Sequence, residues 1–203
     1  MSEPPSDNMD HIKIMAGIGG VCVQWALMEH LVLGMISTNE TMDLDRVYLI
    51  FGSLDMKPRL DMAINLARAA KTPAPMVQRI VAVRKALRDE RLADRRNQAV
   101  HGVHKTCYQP DSIQLTMPRW PEPRRTETVT ALELYQLSTR LSELGNEICA
   151  IGAEIHAWKI RVLENRVEHS KRQFAVANTP VIFKIAKSLY ASAQGFWRNF
   201  KGS

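Results

Sequence analysis

Hydrophobic positions repeat at helical intervals over most of the chain. Between His11 and Ser37, the residues Trp25, Met28, Val32, Met35 and Ile36 keep three- and four-residue steps. The spacing predicts a long helix that stops at the Ser-Thr-Asn run at 37–39. Gly17, Gly20 and Gly34 lie inside it. Each weakens a helix by about 1 kcal/mol against alanine, so their presence predicts close approach by neighbouring helices. Met42 to Ser53 reads as a second, shorter helical stretch. Lys57 to Ala70 reads as a helix with Leu60, Ile64 and Ala67 on one face and Pro58 in its first turn. The Thr72-Pro73-Ala74-Pro75 run breaks the chain. Met76 to His101 then reads as one helix, closed by Gly102, the residue type preferred just past a helix end.

The pattern changes at residue 103. The stretch 103–130 carries Pro110, Pro118, Pro121 and Pro123, with alternating runs such as Ser112-Ile113-Gln114-Leu115-Thr116-Met117. Two or three short strands at edge positions are expected there. Thr130 followed by Glu133 has the form of a capping box. The helix it opens carries Leu134, Leu137, Leu141, Leu144, Ile148, Ile151 and Ile155 at three- and four-residue steps and is expected to reach about Arg172. After Thr179-Pro180 the residues Ile182, Ile185, Leu189, Phe196, Trp197 and Phe200 make one apolar face beside Lys184, Lys187, Arg198 and Lys201. That is a basic amphipathic helix at 180–201, able to pack on a partner or to lie on a membrane surface. Residues 1–10, rich in Pro, Ser and Asp, read as a disordered arm. The expected fold class is all-α: an antiparallel helical bundle at 11–172 with a small β insertion at about 103–130.

Composition narrows this picture. The chain has 203 residues, 45% of them hydrophobic, which suits one packed domain with an appendage and excludes disorder throughout. Its 27 Lys and Arg against 21 Asp and Glu leave a net charge of +6, a mild excess compatible with a polyanion partner. Aromatics at 6% argue against a sheet that reads single-stranded RNA by stacking. The three cysteines, Cys22, Cys107 and Cys149, form neither a disulfide framework nor a Cys-x2-Cys pair, and a reducing cytoplasmic setting is expected. The acidic, polar start MSEPPSDNMD is not a secretory leader. Residues 14–36 are apolar enough to be weighed as a membrane span. Glu29 and His30 sit within them, and a buried helix of a soluble bundle is the expected reading.

Candidate chemistry gathers at the end of the 76–101 run. Met76, Ile80, Val83 and Leu87 make a core stripe. Continued in phase, the stripe meets Glu90 or Arg91, Asp94, Asn97 or Gln98, and His101. A face that turns from apolar to ionisable predicts a cleft or an interface at that end. Asn97 and His101 are four residues apart, so the amide is expected to meet the imidazole and fix its tautomer. Arg96 is roughly 140° round from His101, close enough for its long side chain to approach it. Asp94 is expected in a solvated salt bridge with Arg91 or Arg95. Glu29 is expected either to face the cleft or to be satisfied by an arginine. His156 and His169 are expected to carry no chemistry. His104 follows His101 at a spacing also found in metal sites, but no further ligands complete one, so neither metal nor cofactor is expected. Phosphate loops, nucleophile elbows and kinase signatures are absent from the sequence.

The run Arg96-Asn97-Gln98-Ala99-Val100-His101 resembles the Arg-x4–6-His signature of HEPN domains, in which a polar residue, often Asn, commonly follows the arginine. Trp25 followed by Glu29 in the first helix is similar to the family's pattern as well. The resemblance covers residues 11–170 and implies a dimeric helical bundle with the motif at the subunit interface. It further implies a metal-independent endoribonuclease of a toxin–antitoxin or antiviral defence system, with RNA as substrate and an antitoxin or another defence protein as partner. In that reading Arg96 and His101 are catalytic. Asn97, Glu29 and His104 support them, and Arg95 touches the RNA backbone; the basic cluster Arg119, Arg124 and Arg125 around Trp120 is expected either to grip that backbone as well or to be an ordinary surface loop. The alternatives are a non-catalytic scaffold of the same fold that binds a nucleotide or a partner, and a helical protein anchored to a membrane by residues 180–201.

Overall fold

The computed structural model describes residues 6–40, 42–106, 112–116 and 126–200, with side chains at 10–40, 42–102, 112–114 and 127–173. Six helices and three strands follow in the order α1 (Ser6–Glu40), α2 (Leu44–Phe51), α3 (Met56–Ala69), α4 (Ala74–Asp89), α5 (Leu92–His101), β1 (Val103–Thr106), β2 (Ser112–Thr116), β3 (Thr126–Thr130) and α6 (Ala131–Phe200). The protein is therefore mostly helical with a small β insertion. Met1–His156 form one unit and Ala157–Ser203 a second; the bundle, its core and every site considered below belong to the first.

The first unit is built around one face of α1. Ile14, Val21, Trp25, Met28, Val32, Met35 and Ile36 are buried along it at helical spacing. Leu60, Ala63, Ile64 and Ala67 of α3, Val77, Ile80, Val83 and Leu87 of α4, and Leu134, Leu137, Leu141, Leu144, Ile148, Ile151 and Ile155 of α6 complete the core. Each large aliphatic side chain buried in this way contributes about 1.5–3 kcal/mol. Gly17 and Gly20 let α6 approach α1 closely. A Cβ on Gly17 would stand 2.8 Å from the Cβ of Leu134, and one on Gly20 would stand 2.9 Å from Ser138 Oγ. Gly34 does not share this role, because a Cβ there would meet nothing within 4 Å.

Ion pairs tie α4 to α6. Arg79 of α4 donates to both carboxylate oxygens of Glu147 (2.7 and 3.1 Å) and to Glu154 (2.6 Å). Arg140 of α6 grips Glu90, at the end of α4, through bonds of 2.9 and 2.6 Å. The bonds from Arg140 and Arg79 hold the carboxyls of Glu90 and Glu147 below the ordinary glutamate range. The capping box at the start of α6 is formed: Thr130 N–H donates to Glu133 Oε2 (2.8 Å) and Glu133 N–H donates to Thr130 Oγ1 (3.1 Å).

Several elements differ from the expectations. The 76–101 run is two helices, not one. The chain breaks at Glu90–Arg91, where Arg91 takes a left-handed φ of 52° and α5 starts on a new axis. The arm expected at 1–10 is helical from Ser6 onward, because α1 extends back through Asp10. Helix α6 continues through Thr179-Pro180 to Phe200, so 180–201 does not start as a separate element. A proline inside a helix removes one hydrogen bond and crowds the preceding turn, but the helix-forming sequence on both sides carries the backbone across. The strands form one antiparallel sheet in the order β1-β2-β3, in register Val103↔Thr116 and Ser112↔Thr130. The strand β2 is thus central rather than an edge, and its Ile113 is buried in the core. The four prolines at 110, 118, 121 and 123 lie outside the described residues. By length and composition, Asp10–Glu40 would suffice to cross a membrane, and 33% of its most apolar window is buried. Its opposite face exposes Ile12, Met15, Val23 and Leu27.

Candidate functional site

The break at Arg91 decides what α5 presents. Leu92 and Ala99, seven residues apart, are the buried positions of this short helix. Its apolar contact is therefore set by its own pair and does not continue the stripe of α4. Asp94, Asn97 and His101 fall on the exposed side, and Arg96 is half-buried between the two faces. The change from apolar to ionisable residues reflects this new axis.

Arg96 is the centre of the cluster. Its Nη1 donates to Asn97 Oδ1 at 2.9 Å and lies 3.3 Å from His101 Nε2. Its guanidinium carbon sits 5.5 Å from the ring centroid of Trp25, within the range of a cation–π contact. Arg96 Nε is buried and has no hydrogen-bond acceptor among the described residues. An arginine only donates, so this approach is a hydrogen bond in the tautomer that carries its proton on Nδ1 and its lone pair on Nε2. The amide of Asn97 bonds to Arg96 and not to His101, which corrects the expected Asn97–His101 contact. The arginine, and not the amide, is the side chain that reaches the imidazole.

A second layer lies beneath. Trp25 Nε1 donates to Glu29 Oε1 at 2.9 Å, one turn along α1. Glu29 also pairs with Arg59 of α3, whose Nη1 stands 3.7 Å away. Arg59 is buried and donates to Gly52 O (2.6 Å) and Phe51 O (3.3 Å) at the end of α2. Glu29 is therefore an arginine-satisfied carboxylate that holds the Trp25 ring, one of the two expected roles. Sequence reasoning did not single out Arg59. Its signal was a cation at a position that the period of α3 assigns to the core, one residue before Leu60.

The remaining candidates are placed elsewhere or not described. Arg95 is exposed and lines a separate cavity of about 210 Å³ with Gln98, Glu127 and Glu133, so it does not join Arg96. In that cavity Gln98 donates to Glu127 at 2.6 Å and ties α5 to β3. Asp94 pairs with Arg91 at 3.2 Å with both side chains 64% exposed, a solvated salt bridge. The backbone of His104 lies in β1 opposite Leu115, and its side chain is outside the described residues. Arg119, Arg124 and Arg125 lie outside them altogether. His30 meets Tyr48 Oη at 2.6 Å. His169 bonds to Gln173 in the second unit, and His156 is exposed. Among the described residues no three His, Cys, Asp or Glu side chains gather as a metal site would need. No protein-family model, curated protein or solved structure matches the chain.

Proposed function

We propose that the protein is a metal-independent endoribonuclease in which Arg96 and His101 act on one phosphodiester. The observation that supports this most strongly is the 3.3 Å approach of the Arg96 guanidinium to His101 Nε2 on the exposed side of α5. Cleavage of RNA without metal requires a base for the 2′-hydroxyl proton and a fixed cation for the charge that develops on phosphate. An imidazole whose Nε2 lone pair can be released suits the first task, and a permanently charged planar guanidinium suits the second.

An incoming phosphate oxygen takes the N–H bond that Arg96 gives to His101. The lone pair of Nε2 is then released to accept the 2′-hydroxyl proton. The 2′-oxygen attacks phosphorus, the bond to the 5′-oxygen breaks, and the leaving oxygen takes a proton from the imidazolium of a second copy in a dimer. The products carry a 2′,3′-cyclic phosphate and a 5′-hydroxyl. Stacking on Trp25 holds the guanidinium in place, and Glu29 with Arg59 holds the indole. The toxin or defence setting is carried by the HEPN resemblance alone. Incubating the purified chain with a mixed-sequence RNA in EDTA tests the reading: cleavage to cyclic-phosphate ends supports it, and intact RNA at every concentration rejects it.

A further inference from the structure

A cavity of about 410 Å³ opens between α3, α4 and the start of α5. This is within the size range of small-molecule sites, roughly 300–1,000 Å³. Its floor is hydrocarbon: Met56 and Leu60 from α3, Val81 and Leu87 from α4, with Trp25 of α1 at one end. Its rim is cationic, and the cations are not equivalent. Arg84 pairs with Asp61 at 2.5 Å, Arg88 with Asp89 at 2.8 Å, and Arg91 with Asp94 at 3.2 Å. Lys57 and Lys85, also on the rim, have no ion-pair partner among the described residues.

We infer that this cavity binds a small amphiphilic anion, a hydrocarbon body ending in a carboxylate or a phosphate. The aliphatic floor takes the body, and Lys57 and Lys85 face the charge. A nucleobase fits less well. Its polar edge needs acceptors as well as donors, and the one carboxylate of the lining, Asp94, is already paired with Arg91. Burial of a hydrocarbon chain strengthens binding by about fourfold per methylene, so chain length reports whether the floor is used. The rim charge reports whether the head group is used. This site is independent of the proposed ribonuclease activity, although it shares Trp25 with the Arg96 cluster.

The test is calorimetric titration of the full chain with hexanoate, octanoate, decanoate, decyl phosphate, decanol and 5′-AMP. Affinity is expected to rise severalfold with each added methylene and to be at least tenfold higher for decanoate or decyl phosphate than for decanol. Which of the two anions binds more tightly identifies the head group. In the exposed double variant Lys57→Gln, Lys85→Gln, decanoate is expected to fall to the affinity of decanol. Equal binding of decanoate and decanol, affinity independent of chain length, binding of 5′-AMP without decanoate, no binding of any probe, or a double variant that binds decanoate as the parent does would each overturn the inference.

Discussion

The guanidinium of Arg96 stacks on the ring of Trp25, 5.5 Å from its centroid, and so joins the short helix α5 to the buried face of α1. The indole is 5% exposed and fixed from below by Glu29. A long, flexible cation is thereby held against a rigid surface on the side from which it reaches His101.

If that stacking orders Arg96, the two residues are energetically coupled. A double-mutant cycle with Trp25→Leu and Arg96→Gln is expected to give a coupling of about 0.5–1 kcal/mol in urea unfolding, the range for a partly exposed cation–π contact. Strict additivity of the two single changes would show that the ring does not position the guanidinium.

The glycines of α1 separate packing from helix propensity. Gly34→Ala is expected to stabilise the protein by about 1 kcal/mol, because the new methyl meets nothing within 4 Å and glycine is the poorer helix former. Gly17→Ala gains the same propensity but places its Cβ 2.8 Å from Leu134 Cβ, an atom fixed to the α6 backbone. It is expected to destabilise by about 1–3 kcal/mol, the range for an overpacked core. Unfolding midpoints that move in the same direction in both variants would contradict the α1–α6 contact described above.

Helix α3 ends with Lys71 at a left-handed φ of 57°. Its N–H bonds Arg68 O (3.0 Å), and Thr72 N–H bonds Ala67 O (2.9 Å). That is a Schellman ending with lysine where glycine is usual. Relief of the Cβ clash, worth about 1–2 kcal/mol, exceeds the added freedom of glycine in the unfolded chain, about 0.5–1 kcal/mol. Lys71→Gly is therefore expected to raise stability by about 0.5–1 kcal/mol in denaturant titration; a loss would contradict the assigned backbone conformation.

The Glu90–Arg140 pair predicts an acid response. The folded-state pKa of Glu90 is below its unfolded value, so the stabilisation is fully present above the ordinary glutamate range and is lost as pH falls through the lowered folded value. Both side chains are more than a third exposed (38% for Arg140 and 37% for Glu90), so water screens the pair and the term is below about 1 kcal/mol. Unfolding free energies at about pH 7 and about pH 3 are expected to differ less in Arg140→Met than in the parent. An equal loss in both would show that the pair does not contribute.

Local signals in the sequence were legible, and contacts between distant segments were not. The Thr130–Glu133 box could be read because both partners lie within one turn. The stripe from Leu134 to Ile155 could be read because its period alone defines a buried face. The break at Arg91 could not, since no glycine or proline marks it and a left-handed arginine leaves no trace in composition. Pro180 failed in the opposite direction: it marked a stop, and helix α6 runs through it. At the site, the nearness of Arg96 and His101 followed from helical spacing. The seat of Arg96 on Trp25 and the support of Glu29 by Arg59 depend on how α1, α3 and α5 pack, which no single segment encodes.

The most direct measurement of the central claim is the cleavage rate of one fluorescent RNA, in EDTA, by the parent, His101→Ala and Arg96→Ala, with circular dichroism confirming that all three are folded. The account predicts 2′,3′-cyclic phosphate products from the parent and a rate at least 100-fold lower in each folded variant, within the range that a positioned proton carrier or charge-stabilising group supplies. Undiminished cleavage by both variants, or no cleavage by the parent, would contradict it.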